Sequence, residues 1–556
     1  MVRPDSMEEF AMRHGGRILV DQLVKLGVRR VFSVPGESFL AALDGLYDSG
    51  IRNVVCRQEG GAAMMAEAHA KLTGGPGVCF VTRGPGATNA SAGVHVARQD
   101  STPLVLFVGQ IDSGHMDRET FQEVDYTAMF GSLAKGVFQC NDTARLPEYI
   151  ARAFRLALSG RPGPVVLALP ENMLSATSDV PDFTGTWAVP AAPAPHLWDH
   201  LLLTLSAAKA PLMVVGGPHW SPQAAAALGD FAQGAQIPVA TAFRRQDYLD
   251  NRHPCFAGDL NVGVNPRLAQ RVRDADCLLL VGTRFGDIET QGYTLVDPAC
   301  PGKTILHVHA DADEIGRVYG ADAAVVCPGD VAIVGLRAAL ARQGAWTGWP
   351  AAVAAARADY DAWQVPVESP GDVKQEQVIR WLSDNLPEDA IVTNGAGNYA
   401  AWLHRYFRYK GHGTQLAPTS GSMGYGFPAA VAASLTHPER TVVCLAGDGC
   451  FQMTCNEMST AVQHGAVPIV IVMNNGRYGT IRMHQERAYP GRVSGTVLAN
   501  PDFAALARAY GGFGAVVTAQ DQFADAFAQA QAAGTVAVIE VRLDPRVLSP
   551  GASLPA

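Results

Sequence analysis

Short apolar runs rich in valine, isoleucine and leucine recur along the chain, each closed by glycine or proline and followed by small or amphipathic residues. Such runs read as buried parallel strands, because strands covered on both faces lose the apolar–polar alternation of half-exposed ones. In the first third they predict strands over 30–34, 53–56, 77–82 and 103–108. Pro35-Gly36-Glu37-Ser38 turns into a helix reaching Leu46, and Glu59 opens a helix of small residues through Leu72. Gly84-Pro85-Gly86-Ala87-Thr88-Asn89 reads as a loop leading into the next helix. A second block, from about Trp198 to Gln343, predicts strands over 212–215, 238–241, 277–281 and 304–309. The Pro/Ala-rich, charge-free stretch 184–195 reads as a linker before it; an Ala-rich segment follows it, and a third block starts near Asp372. The alternation predicts three doubly wound, parallel-sheet α/β domains, placed at 1–180, 196–343 and 370–548.

The clearest unit spans 441–479. One apolar run, 441–446, ends at Gly447-Asp448-Gly449, and a second, 467–473, ends at Asn474-Asn475-Gly476. Between them Thr454 and Glu457 have capping-box spacing and Gly465 sits where a helix would stop, so the stretch predicts a βαβ unit. Ligands of open parallel sheets collect outside the carboxyl ends of the strands. Asp448 and Asn475 would both face that edge, offering hard oxygen donors to one cation. Mg2+ suits such a pair, since it takes one or two protein oxygens and completes its shell with phosphates and water. Backbone N–H groups around Gly447 and Gly449 can meet phosphate oxygens from the other side. The pattern points to a diphosphate held through a metal; the competing account is a pair of glycine turns in an unrelated α/β protein.

Composition narrows the setting. Among 556 residues only 17% are charged and 48% are hydrophobic, which points to a large core and to surface buried between subunits. A formal charge of -9 excludes a sequence-independent nucleic-acid binder, whose footprint would be basic. The opening MVRPDSMEEF lacks the apolar core of a signal peptide, and the longest apolar runs are too short to span a bilayer. Ten cysteines without C-x-x-C pairing, with Cys79, Cys277 and Cys444 inside apolar runs, predict small core residues in a reducing cytoplasm.

GDG followed after 24 residues by NN resembles the signature of thiamine-diphosphate (ThDP) enzymes. RQEGGAAMMAEAHAKLTG, VTRGPGATN, TFQEVD (120–125), SGRPGPV (159–165) and SGSMGYGFPAA (420–430) resemble the acetolactate synthase, pyruvate oxidase and 2-oxo-acid decarboxylase group. The phrasing is most similar to the acetolactate synthase large subunit, and the resemblance covers nearly the whole chain. It implies a pyrimidine-binding ThDP domain first, a Rossmann-like domain in the middle and a diphosphate-binding ThDP domain last. It also implies ThDP and Mg2+ as cofactors, the metal held by Asp448, Asn475 and the backbone carbonyl of Arg477.

The same resemblance distributes the remaining roles. Glu59 matches the glutamate that binds the pyrimidine ring nitrogen and so activates the coenzyme; taken alone it is also an acid favoured at a helix N-terminus. Met423 matches the apolar residue under the bend of the coenzyme, an orienting role, and otherwise reads as a core methionine. Gly397, Asn398, Tyr399, Ser422, Gly447 and Gly449 would meet the coenzyme, with Pro85 and Asn89 flanking its pyrimidine ring. Gly36 and Glu37 would lie beside the reacting carbon, and Gly36, Glu59, Gln122 and Met423 form the implied catalytic set. Phe121, Gln122 and Lys135 would line the substrate channel, Lys135 attracting a carboxylate or standing as a solvated surface charge. Because the family pairs the first domain of one subunit with the last domain of another, the resemblance implies a homodimer or homotetramer with shared active sites.

The pattern departs in two places. The tryptophan that contacts the second 2-oxo acid in acetolactate synthases aligns with His484, a smaller and more polar wall with Arg482 and Arg487 nearby. In the middle block Gly216-Gly217, Gly282-Thr283-Arg284-Phe285, Asp311 and Gly329-Asp330 keep parts of a flavin-binding layout, but Gly286-Asp287-Ile288 loses a basic residue, so FAD stays open. The expected activity is decarboxylation of a small 2-oxo acid with transfer of the acyl carbanion to an acceptor. The rival within the superfamily is a 2-oxo-acid decarboxylase or C–C lyase. From another class, the rival is a non-catalytic ThDP-fold binding subunit, against which Glu59 speaks. A nicotinamide enzyme is disfavoured because no G-x-G-x-x-G follows the first strand.

Overall fold

The computed structural model describes residues 11–185 and 192–554. The opening decapeptide read for a signal peptide, and 186–191 of the expected linker, lie outside the described residues. The chain divides into two compact units, 1–188 and 189–556.

In the first unit β1 (Arg30–Ser33), β2 (Arg52–Val55), β3 (Gly77–Val81), β4 (Leu104–Gln110), β5 (Gly136–Gln139) and β6 (Pro164–Pro170) form one sheet. All pairs are parallel, in the order β2-β1-β3-β4-β6-β5. The helix Glu59–Thr73 starts at Gln58, whose side chain accepts from the Gly61 N–H, and stops at Gly74 in the left-handed region (φ 75°). The expected 84–89 loop is instead helical: Pro85 opens the helix Pro85–Asp100. Proline suits that first turn because its φ is already helical and the N–H it lacks would have had no partner. These two helices pack almost in contact, and a Cβ on Gly93 would stand 2.4 Å from the Ala63 Cβ.

The second unit holds two sheets. In the first, β7 (Pro211–Val215), β8 (Val239–Thr241), β9 (Phe256–Asp259), β10 (Cys277–Val281), β11 (Thr304–His309) and β12 (Ala323–Val326) lie parallel in the order β9-β8-β7-β10-β11-β12. Alternate residues of these strands feed two separate cores: Met213, Val215, Leu279 and Leu306 on one face, Leu212, Val214, Leu278 and Ile305 on the other. That is why the strands read as unbroken apolar runs. The Ala-rich segment after this block is the helix Pro350–Trp363, whose Tyr360 packs edge-on against Phe256.

In the second sheet of this unit, β13 (Ile391–Asn394), β14 (Gln415–Leu416), β15 (Val442–Gly447), β16 (Ile469–Asn474), β17 (Phe513–Val517) and β18 (Ala537–Arg542) are parallel, in the order β14-β13-β15-β16-β18-β17. This is the same permutation as in the first unit. The predicted βαβ unit is present, with Gly465 closing its helix at φ 72°. Its capping box is not. The Thr454 hydroxyl donates to Gly424 O (2.8 Å), and the fully buried Glu457 accepts from Thr460. Both partners are buried, and the segment carries a short helix, Asp448–Gln452, before the main one, Met458–His464. Buried Cys79, Cys277 and Cys444 confirm the core reading of those cysteines.

The Gly93 contact yields a sign opposite to helix propensity. Alanine in a helix interior ordinarily gains about 1 kcal/mol over glycine. Here Gly93→Ala is expected to destabilise the first unit by about 1–3 kcal/mol, because two backbones would have to separate. Urea unfolding of the variant against wild type measures it.

Candidate active site

In the third sheet the strand order reverses between β13 and β15, the point where open α/β sheets take ligands. A cavity of about 260 Å³ opens there, bringing together Gly397, Asn398, Tyr399, Met423, Gly447, Asp448, Gly449, Asn475 and Arg477. Asp448, 3% exposed, follows directly from β15. Its carboxylate accepts from the N–H groups of Gly449 (3.0 Å) and Gly476 (2.9 Å) and from the Asn500 amide (2.7 Å). Burial raises its pKa, and these hydrogen bonds oppose the rise. Every one of these partners is neutral, so a buried negative charge faces the cavity without a counter-charge among them. Asn475 Oδ1 accepts from the Arg477 N–H (3.2 Å), folding the 475–477 turn toward Asp448. Among the described residues no three His, Cys, Asp or Glu side chains gather as a metal cluster. The donors available here are one carboxylate, one amide and a backbone carbonyl.

The glycines around Asp448 admit aromatic rings. A Cβ on Gly447 would stand 2.9 Å from the Tyr399 ring, and one on Gly449 2.5 Å from the Tyr478 ring. The Tyr399 hydroxyl points inward, accepting from the Gly395 N–H (3.0 Å) and reaching Cys450 Sγ (3.3 Å). Asn398 is fully engaged: it donates to Leu548 O and accepts from the Thr480 hydroxyl (2.9 Å), tying the strand-end loop to the helix Gly479–Ala488 and the terminal segment. Ser422 donates to Met423 O (3.2 Å), and half-buried Met423 packs against the core beside the cavity.

In the first unit the carboxyl edge gathers a second set. Glu59, 9% exposed, accepts from the Asn89 amide (2.9 Å). Thr82 lies between two glycines of this set: a Cβ on Gly36 would meet it at 2.4 Å, and one on Gly86 at 2.8 Å, with Glu59 Oε1 3.3 Å away. Glu37 pairs with Arg83 (2.6 Å). Gln122, at φ 67°, packs its backbone against the Gly84 turn that introduces Pro85, while Phe121 is 74% exposed.

Other predicted residues stand elsewhere. Lys135 precedes β5, at the amino edge of its sheet, opposite to Glu59, and donates to Ser159 O at the end of the helix Leu146–Leu158. His484 and Arg487 are exposed on the helix Gly479–Ala488, whereas Thr480 and Ile481 of that helix line the cavity. Arg482 turns inward and pairs with Glu486. Sequence reasoning missed Asn500, which holds both Asp448 and Asn474 Oδ1 (2.9 Å). Its neighbour Asp502 caps the helix Phe503–Ala509, and only that cap is visible locally.

At the β7–β10 switch point of the middle sheet, the glycine-rich strand ends are covered by the chain itself. Trp220 donates to Gly216 O (2.9 Å), and a Cβ on Gly329 would stand 2.9 Å from its indole. Tyr248 packs at a tilt against Trp220 (ring centroids 5.1 Å apart) and donates to Gly217 O (2.6 Å). The next helix, Pro222–Ala235, spends its N-terminus on the Ser221 cap.

Comparison with known proteins agrees with this layout. The chain matches the family models for the N-terminal TPP binding domain (13–129), the central domain (199–335) and the C-terminal TPP binding domain (395–541) of thiamine pyrophosphate enzymes. It belongs to the thiamine pyrophosphate enzyme family. Its relatives include the acetolactate synthase isozyme 2 large subunit of Escherichia coli K12, 32% identical over 92% of each chain. The acetolactate synthase large subunit of Corynebacterium glutamicum is 31% identical over 93% of this chain and 84% of its own. That of Lactococcus lactis is 30% identical over 89% and 87%. The chain is thus a ThDP-dependent enzyme, and no helix among the described residues is long and apolar enough to cross a membrane.

In this family member Asn500 supports the carboxylate at the heart of the cavity. Asn500→Ala is expected to cost about 1–3 kcal/mol of stability, since Asp448 and Asn474 each lose a buried donor. Chemical denaturation without added ligands reads the loss.

Proposed function

We propose that the protein binds ThDP through Mg2+ and decarboxylates a small 2-oxo acid, transferring the acyl carbanion to an acceptor as an acetolactate synthase-like carboligase. The observation that carries this reading is the buried Asp448 carboxylate, which shares one cavity with Asn475 and Arg477 and is matched only by neutral donors. An all-oxygen set of this kind fits Mg2+ and a diphosphate. The relatives named acetolactate synthase large subunits supply the reaction class.

When bound, ThDP supplies a carbon nucleophile and an electron sink for decarboxylation. Asp448, Asn475 and the Arg477 carbonyl would hold the cation, Gly397, Gly447 and Gly449 would leave room for the diphosphate, and Met423 would orient the coenzyme by packing. Glu59 holds and moves a proton at its carboxyl oxygen; near-complete burial and the Asn89 amide fix that oxygen in place. We assign these roles to domains at 1–180, 196–343 and 370–548 of a cytoplasmic homodimer or homotetramer, with Glu59 of one copy serving Asp448 of another. One feature favours a decarboxylase or C–C lyase instead: His484, aligned with the acceptor-contacting tryptophan, is exposed outside the cavity lining.

Pyruvate as sole substrate, with ThDP and Mg2+, separates the two readings. Acetolactate is the expected product, and free acetaldehyde alone would overturn the carboligase assignment. Glu59→Gln is expected to lower turnover by about 10²–10⁴-fold while ThDP and Mg2+ still bind. Coenzyme C2 proton exchange followed by quenched NMR checks this, and wild-type exchange in the variant would remove Glu59 from the chemistry.

Flavin is a separate matter. A dinucleotide pyrophosphate needs open strand ends and free N–H groups at a helix start. Trp220 covers those strand ends, Ser221 caps the helix, and Pro222 offers no N–H. The middle domain does not fit FAD. The purified protein is expected to be colourless; a stoichiometric flavin absorption band would reverse this conclusion.

A further inference from the structure

Two walls of the coenzyme cavity are tied together from outside their own domain. The chain leaving β8 passes through Arg244, which is 5% exposed and adopts φ 59°, a left-handed backbone that residues other than glycine rarely take. Its guanidinium crosses to the diphosphate-binding domain, donating through Nη2 to Gly395 O (3.0 Å) and through Nη1 to Pro418 O. Gly395 follows β13 and leads into Gly397, Asn398 and Tyr399; Pro418 leads into Ser422 and Met423. Both segments line the cavity. The arginine is itself fixed: its guanidinium lies over the Phe243 ring (4.8 Å), and Arg245 donates to its carbonyl (2.9 Å).

A planar fork with donors on separate nitrogens can serve two carbonyls of different loops at a set spacing. An ammonium, a single point charge, does not reproduce that geometry. Neither carbonyl belongs to the strand ladder: each has one local donor, the Asn394 amide on Gly395 O (2.8 Å) and the Gly421 N–H on Pro418 O (3.0 Å), and the guanidinium adds the one donor they share. We propose that Arg244 is a positioning residue for the coenzyme: the middle domain sets the gap between the diphosphate-side loop and the Met423 loop. This rests on the ThDP reading above.

The test measures ThDP affinity by calorimetry with Mg2+ present. Arg244→Ala is expected to raise the Kd about tenfold or more, with partial recovery on adding guanidinium. Arg244→Lys is expected to remain impaired. Arg252→Ala is the control: it breaks a second inter-domain contact, Arg252–Glu388 (2.6 Å), before β13 at the opposite sheet edge, and is expected to leave the affinity unchanged. Wild-type affinity in Arg244→Lys, or an equal loss in Arg252→Ala, would overturn the proposal. Should Arg244→Ala not fold, Arg244→Lys carries the test, together with amide hydrogen exchange over 395–399 and 418–424. Protection there is expected to fall in Arg244→Lys, and unchanged protection sinks the clamp. Wild type that takes up no coenzyme would sink the functional reading alone, because the exchange measurement needs no ligand.

Discussion

Parallel pairing is the constraint from which the rest of this structure follows. In each six-stranded sheet every strand points the same way, so every strand-to-helix loop emerges at one edge. Polar side chains can then be concentrated there without interrupting the apolar strands that build the core. Asp448 shows the economy of this arrangement. The six residues of β15 are all buried, and the very next position carries a carboxylate at the cavity. Holding that charge costs desolvation, visible as a raised pKa. Three neutral donors offset part of the cost and leave the remainder available to a cation.

What could be read from the sequence follows from the same constraint. Strands buried on both faces announce themselves as apolar runs, and the runs at 277–281 and 304–309 coincide with β10 and β11. Edge strands do so less reliably: the run at 53–56 announces β2, whereas none of the predicted strands falls on β9 or β12. β9 holds only four residues, including Gly258 at φ 116° and a terminal aspartate, and β12 alternates toward solvent. Motif residues such as Asp448, Asn475 and Asn89 sit beside turns, where glycine and proline mark the chain locally. Asn500 precedes Pro501 and so also sits at a marked turn, but its role comes from Asp448 and Asn474, which approach it only after folding. Pro85 was legible in chemistry but ambiguous in conformation: Gly-Pro-Gly suits a loop, and proline equally suits the first turn of a helix. Thr454 and Glu457 have the spacing of a cap, yet Thr454 is claimed by the distant Gly424 and Glu457 by Thr460 three residues on.

Strand order adds a distinction that no apolar run reveals. The first and third sheets share one permutation, whereas the middle sheet has the 3-2-1-4-5-6 order of dinucleotide-binding domains. Order alone does not decide the ligand. In the middle sheet the switch point is closed by Trp220 and Tyr248, and the segment after β8 is spent on the neighbouring domain. Asp247 there accepts from the N–H groups of Gly413 (2.9 Å) and Thr414 (3.1 Å), and Gln246 exchanges hydrogen bonds with Gln415 and His404. The loop after β8, at the edge where a dinucleotide would lie, instead reaches the neighbouring domain of the same chain.

That diversion also accounts for a backbone conformation that would otherwise be a pure cost. A non-glycine residue in the left-handed region is retained only where its surroundings over-determine it. Arg244 meets that condition through two carbonyl acceptors, an aromatic face and a hydrogen bond from the Arg245 guanidinium to its own carbonyl. If the contact served only to glue two domains, the adjacent Asp247 and Gln246 network would already suffice, without strain. The strained residue is instead the one whose acceptors lead directly into the walls of the cavity. Strain placed there buys a fixed geometry at the site, which is the property a coenzyme cradle needs and a plain interface does not.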